Sequence, residues 1–302
     1  MNMRKLKAIK PGSKVGLISP AGPVTKNQLR EGLKCLSEND ISYELGKHSL
    51  MNAGIVSATP QFRISDINSF LSREDIVAIW ALRGGYGSMQ LFNQFNFELL
   101  DKHPKLFIGF SDLTALQWCL FKMCDVPSLT GFTITTQFNS RNLFLDIGLA
   151  ILSGKRNSIL HEDVADTPVR TIEAGEAEGL LLGGTLSMIC SLCGTPYFVN
   201  RNELILFIED VNEPLYRIDR CFQQLSLIGF WQKVNAVILG QFLNEDKLVD
   251  VVPLLQPHLK KGIPLIADFP YCHQTNCMLL PQGVFARLVT SPFMLTWEPF
   301  IF

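Results

Sequence analysis

Over residues 14 to 124 the chain alternates between short apolar runs and longer stretches with helical spacing. KVGLISPA is followed by TKNQLREGLKCLSEND, ISYELG by TPQFRISDINSFLSRED, IVAIWAL by the glycine-rich RGGYGSMQLFNQF, and KLFIGF by SDLTALQWCLFKM. Strand and helix in alternation, with short connections, predict a parallel sheet covered by helices on both faces. IVAIWAL and KLFIGF carry the near-continuous hydrophobicity of strands buried on both sides. The aromatic-rich FNQFNFELL reads as core packing.

After about residue 150 the texture changes. Residues 153–178, SGKRNSILHEDVADTPVRTIEAGEAE, are polar, punctuated by Pro and Gly and without an aromatic residue, and read as a linker or surface excursion. Beyond them GLLLGGTLSMICSLCG reads as a glycine-rich helix entry, ELILFIEDV as a strand, LYRIDRCFQQLSLIGF as a helix and VNAVILGQF as a strand. A run of short strands and turns then extends from GIPLIADFPYCH to FARLVTSPF. The expected class is α/β: an N-terminal parallel sheet flanked by helices (1–150), a linker (151–178) and a second, smaller α+β C-terminal domain (179–302).

Composition narrows the function. The 302 residues hold 27 Lys and Arg against 28 Asp and Glu with no basic block, which leaves no electrostatic footprint for nucleic acid or an anionic membrane. A small molecule or peptide is the expected partner. No apolar run approaches the roughly 18 residues that span a bilayer, and VGLIS near the N-terminus is too short for a signal segment, so a cytoplasmic location is expected. The eight cysteines are scattered through apolar segments of a large chain, as reduced, buried thiols are. Cys190 and Cys193 form a C-x-x-C with no second pair at zinc spacing, and read as core thiols; no metal and no cofactor are expected.

The informative corner is KLFIGFSDLTALQW, where a strand turns through Gly109-Phe110-Ser111-Asp112 into a helix. A serine there is either a helix cap or a nucleophile. The corner differs from the elbow G-x-S-x-G in having Leu113 where the second glycine would stand. A nucleophilic serine needs a base and a group to orient that base. Of the five histidines, His48, His103, His161 and His258 fall in polar, loop or linker settings, whereas His273 closes the strand-like IPLIADFPYCH. Glu209 is the first polar residue after the apolar strand LILFI, at the sheet edge where α/β sites gather. Asp210 and Glu213 read instead as charges at the start of the following helix.

LRGGYGSMQLF, FIGFSDLTAL, GLLLGGTLSMICSLCGTPY, LFIEDVNEPLYRIDRCFQQL and FPYCHQTNCMLLPQG occur in this order, and together they resemble the LD-carboxypeptidases, a serine peptidase family that includes microcin C self-immunity proteins. The resemblance runs from about residue 12 to 290. It implies a Ser-His-Glu triad of Ser111, His273 and Glu209, with main-chain N–H groups of Gly85 and Asp112 as oxyanion donors. Arg83, Gly84 and Tyr86 are the substrate-binding candidates, with Arg83 as the cation for a free carboxylate. The implied reaction releases a C-terminal D-amino acid, as when D-Ala leaves murein tetrapeptide in cell-wall recycling, and a homodimer is common in the family. A peptide-nucleotide hydrolase and a non-catalytic binder of D-amino-acid peptides are the alternatives. The chain departs from the family pattern at Thr130-Gly131-Phe132, where His-Gly-Pro is common, and at Gly183-Gly184-Thr185, where Gly-Gly-Asn is usual. Nucleotide recognition calls for a stacking ring, which the linker lacks; Phe132 and Trp118 are candidates to supply one from elsewhere.

Overall fold

A computed structural model describes residues 4–302, which divide into two compact units. The first runs to Arg156 and takes in Gln274–Pro281 and Pro299–Phe302; the second comprises Asn157–His273 and Gln282–Glu298.

The first unit is built on β1 (Lys14–Ile18), β2 (Ser42–Leu45), β3 (Ala78–Ala81), β4 (Leu106–Gly109) and β5 (Ser128–Thr130), in the order β5-β4-β3-β1-β2, with a late strand, Leu280–Gln282, beyond β5. β1 to β5 pair in parallel, and every residue of β3 and β4 is buried, as their sequences predict. The connecting helices are α1 (Lys26–Glu38), α2 (Pro60–Leu71), α3 (Phe97–Lys102), α4 (Leu113–Cys124) and α5 (Leu145–Leu152). α1 starts on a capping box, in which the Gln28 amide N–H donates to the Thr25 hydroxyl and the Thr25 N–H to the Gln28 side chain. α4 is buried almost all round, only Lys122 and Met123 falling outside its covered surface. Because β1, β3 and β4 are parallel neighbours, the loops leaving them emerge side by side at one sheet edge. Those loops carry Gly22, the Arg83–Gly87 turn and Ser111.

The second unit has one mixed sheet. Its elements are β6 (Ser158–Leu160), α6 (His161–Val164), β7 (Arg170–Glu173), β8 (Glu176–Thr185), α7 (Leu186–Ser191), β9 (Leu204–Glu209), α8 (Leu215–Leu227) and β10 (Val234–Gly240). After a ribbon of β11 (Leu243–Asn244) and β12 (Lys247–Leu248) come α9 (Val252–Leu255) and β13 (Leu265–Phe269). Leu280–Gln282 of the first sheet is β14, and β15 (Val284–Thr290) and β16 (Phe293–Trp297) complete the set. The order is β6-β16-β15-β8-β9-β10-β13-β7, with β8, β9, β10 and β13 mutually parallel and the outer pairings antiparallel.

Two sequence readings look different in the fold. The stretch 151–178, read as a linker, holds β6, α6, β7 and the start of β8, all within the second unit except its first six residues. GLLLGG, read as a helix entry, is the end of the central strand β8. Its glycines misled the reading because they serve close strand approach rather than a turn: a Cβ on Gly183 would lie 1.8 Å from the Phe207 carbonyl oxygen of β9.

Candidate active site

Ser111 lies in the turn between the end of β4 at Gly109 and the start of α4 at Leu113, with φ at +64°, a left-handed conformation that costs a non-glycine residue about 1–3 kcal/mol. The N-cap of α4 is Asp112, which makes no side-chain cap bond, and the strained serine stands one residue before it. Gly109 lets α4 close onto the strand, since a Cβ there would meet Leu113 Cγ at 2.8 Å. Leu113 therefore packs against the first glycine of the corner, where an elbow of the G-x-S-x-G type carries its second.

The turn after β3 is held against this corner. A Cβ on Gly84 would lie 2.8 Å from Ser111 Cβ and 3.1 Å from its Oγ, so the main chain at 84 borders the hydroxyl directly. Gly85 has φ of +112° and sits against Gly22, whose N–H donates to the Gly84 carbonyl at 3.0 Å. The Asp112 side chain accepts from the Ser88 N–H at 2.8 Å, and the Ser88 hydroxyl donates to the Asp112 carbonyl at 2.7 Å. Arg63 closes the frame by donating to the carbonyls of Pro20 at 2.7 Å and Gly87 at 2.9 Å. Burial raises the Asp112 pKa and lowers that of Arg63, and the charge of each opposes the other's shift. Sequence reasoning assigned Asp112 only a main-chain role and overlooked Arg63. The signal was present, because Arg63 occupies the apolar stripe of α2 with Ile64, Ile67, Phe70 and Leu71.

Of the substrate-binding candidates, Tyr86 is 55% exposed and Arg83 is exposed, its guanidinium donating to the Pro23 carbonyl at 3.2 Å. Trp118 and Phe132 are fully buried, so neither presents a ring for stacking. Thr130-Gly131-Phe132 is packing in this chain: the Phe132 carbonyl accepts from Trp80 Nε1 at 3.2 Å, and a Cβ on Gly131 would strike the Met278 carbonyl at 2.3 Å.

The second unit joins the other two predicted residues. Glu209 closes β9 with no exposed surface, and its Oε2 lies 2.7 Å from Nδ1 of His273, beyond β13. An ionised carboxylate only accepts, so Nδ1 carries the proton and Nε2 is the basic nitrogen. Burial acts to lower the His273 pKa, but the charge and hydrogen bond of Glu209 outweigh it and the net shift is upward. The other carboxylate oxygen accepts from the Thr185 hydroxyl at 2.6 Å. Thr185 was noted in the sequence only as a departure from a pattern; its tie to Glu209 depends on the β8–β9 register, which pairs the two residues.

Asp210 and Glu213 were read as charges on α8. Glu213 keeps that role through Arg217, 3.5 Å away one turn later. Asp210 instead accepts from the Ser187 N–H at the start of α7, at 2.7 Å, and from the Val211 N–H at 2.9 Å. Burial, with Glu209 adjacent, pushes its carboxyl up to about 7. His48, read from its polar setting as no candidate base, is half-buried, with Nδ1 2.8 Å from Asp66 and its ring stacked on Phe62. All eight cysteines are free thiols, and among the described residues no group of three or more His, Cys, Asp or Glu is arranged to hold a metal ion. No helix among them is long and apolar enough to cross a membrane.

A strained serine at a strand-to-helix corner bordered by glycine main chain, and a buried carboxylate–imidazole pair, are the parts from which serine hydrolases are made. Comparison with known proteins bears on which kind. Residues 15–131 match the family model of the LD-carboxypeptidase N-terminal domain, and residues 178–288 that of the LD-carboxypeptidase C-terminal domain. A probable murein peptide carboxypeptidase of Bacillus subtilis (strain 168) is 27% identical over 302 residues, covering 95% of this chain and 92% of the relative. The crystal structure of muramoyltetrapeptide carboxypeptidase from Oxalobacter formigenes is similar with a TM-score of 0.73 at 25% identity, covering 96% of this chain and 100% of that one. MccF in complex with glutamyl sulfamoyl guanosine shares the fold with a TM-score of 0.89 at 22% identity, over 99% of both chains. With both domain models matched in order across most of its length, this chain belongs to the LD-carboxypeptidase family.

Proposed function

We propose that the chain is a serine carboxypeptidase that hydrolyses an L,D-peptide bond and releases a C-terminal D-amino acid, with D-Ala of murein tetrapeptide as the substrate residue. The observation that carries the reading is the Glu209–His273 pair, in which an imidazole is fixed by a fully buried carboxylate through Nδ1. The relatives named for murein peptides support the substrate.

In this mechanism His273 Nε2 takes the Ser111 proton as Oγ attacks the scissile carbonyl, and Glu209 stabilises the resulting imidazolium. Main-chain N–H groups of Asp112 and Gly85 receive the oxyanion. The proton passes from His273 to the leaving amine, the D-amino acid departs, and water attacks the acyl-Ser111 ester with His273 again as base. Arg83 pairs with the free carboxylate of the leaving residue, and Gly84 and Tyr86 border the substrate. The enzyme acts in the cytoplasm as a homodimer; free cysteines throughout the chain support a reducing compartment.

The test is release of free D-alanine from purified L-Ala-γ-D-Glu-meso-diaminopimelate-D-Ala. Wild type releases it, and Ser111→Ala lowers kcat by about 10⁴-fold or more. A folded wild-type protein that releases none overturns the substrate assignment, and peptide-nucleotide conjugates are then assayed on the same pair of proteins.

A further inference from the structure

The Glu209 carboxylate has no exposed surface, so both of its oxygens need partners inside the protein. One partner is the imidazole being oriented. The other is the hydroxyl of Thr185, itself buried, which donates to Oε1 at 2.6 Å while Oε2 faces His273 at 2.7 Å. The two contacts reach Glu209 from different elements, Thr185 from the end of β8 in direct register with Glu209 and His273 from beyond β13.

The last torsion of a glutamate is soft, and its covalent frame does not fix the plane of the carboxylate. A second contact on the opposite oxygen does. A β-branched threonine at a strand end is itself stiff at χ1, so its hydroxyl is a defined point in space. Main-chain packing leaves little slack behind the acid: a Cβ on Gly240 would lie 2.9 Å from Glu209 Cβ.

We infer that Thr185 is a positioning residue of the reaction, whose hydroxyl sets the plane of the Glu209 carboxylate and thereby aims His273. The inference rests on the triad reading above.

Two variants and two readouts test it. Thr185→Val keeps the shape and removes the hydroxyl; Thr185→Ser keeps the hydroxyl and removes the methyl. On the murein tetrapeptide, Thr185→Val is expected to lower kcat about tenfold to a hundredfold with KM little changed, and to shift the acidic limb of the kcat profile, because the imidazole is no longer held against a fixed carboxylate. Thr185→Ser restores most of the rate and the wild-type limb. In parallel, the His273 imidazole titration is followed by NMR, a readout independent of any substrate; Thr185→Val shifts its midpoint and Thr185→Ser does not. A Thr185→Val protein with wild-type kcat and an unmoved midpoint overturns the inference, as does a Thr185→Ser protein as impaired as Thr185→Val, which would make the methyl packing decisive. If the wild type releases no D-alanine, the substrate assignment falls and the NMR midpoint alone decides the role of Thr185.

Discussion

A single methyl group is enough to test the corner at Ser111. Alanine at 84 would put its Cβ 2.8 Å from Ser111 Cβ and 3.1 Å from the Phe110 carbonyl oxygen, neither of which a side-chain rotation can move, so Gly84→Ala is expected to cut kcat at least about tenfold while leaving the fold intact, read by kinetics beside circular dichroism. The imidazole supplies a second residue-scale prediction. Burial lowers the His273 pKa and Glu209 more than reverses it, so the folded value lies above the ordinary 6.5. His273 acts as a base only when neutral, so activity falls as pH drops through that raised value, and the acidic limb of kcat/KM should lie above pH 6.5. The stability linkage has the opposite sense: the charged pair's contribution is full below the unfolded histidine's pKa and is lost as pH rises through the folded one. A limb at or below pH 6 would contradict the pairing seen here.

At the scale of elements, the serine corner is held by a helix as much as by its own strand. Arg63 on α2 ties the loop after β1 to the turn after β3 through Pro20 and Gly87, and its charge faces buried Asp112. Arg63→Met removes these two hydrogen bonds and a third, to the Gln90 side chain, and takes away the charge facing Asp112; it is expected to cost about 3 kcal/mol of stability by denaturant titration, together with a loss of turnover. In the second unit the glycine with least room for a side chain between strands is Gly183. Alanine there, with Cβ 1.8 Å from the Phe207 carbonyl, must push β8 from β9, and Gly183→Ala should lower Tm by several degrees or prevent soluble expression. An unchanged Tm would mean that the strands separate without cost.

Over the whole molecule, the chain returns to the first unit after leaving it. β14 joins the β5 edge, and Leu6 bridges to Ile301, so the first unit draws on residues near both ends of the chain. A fragment ending at Arg156 lacks both and leaves the β5 edge open. It should show neither a cooperative melt nor a dispersed NMR spectrum, whereas the full chain shows both. A fragment that folds cooperatively would show that β14 and the last residues add nothing to the first unit's stability.

The alternation of apolar runs and helical spacing was sufficient to reveal the parallel sheet of the first unit, because strands buried on both faces must be apolar throughout and the helices between them repeat their apolar positions with a helical period. The order of Gly-Gly-Tyr-Gly, Gly-Phe-Ser-Asp, Ile-Glu-Asp and Cys-His along the chain was sufficient to identify the family. What stayed hidden was whatever depends on register and on contacts distant in sequence. Gly183 looks like a turn glycine until β9 lies against it, and Asp210 looks like a charge on α8 until α7 brings Ser187 to it. Thr185 is one polar residue among many until β8 and β9 align it with Glu209, 24 positions on. Local propensity and periodicity act within a few residues and leave their record in the sequence; hydrogen bonds to a buried carboxylate are made by residues that only pairing of the strands brings together.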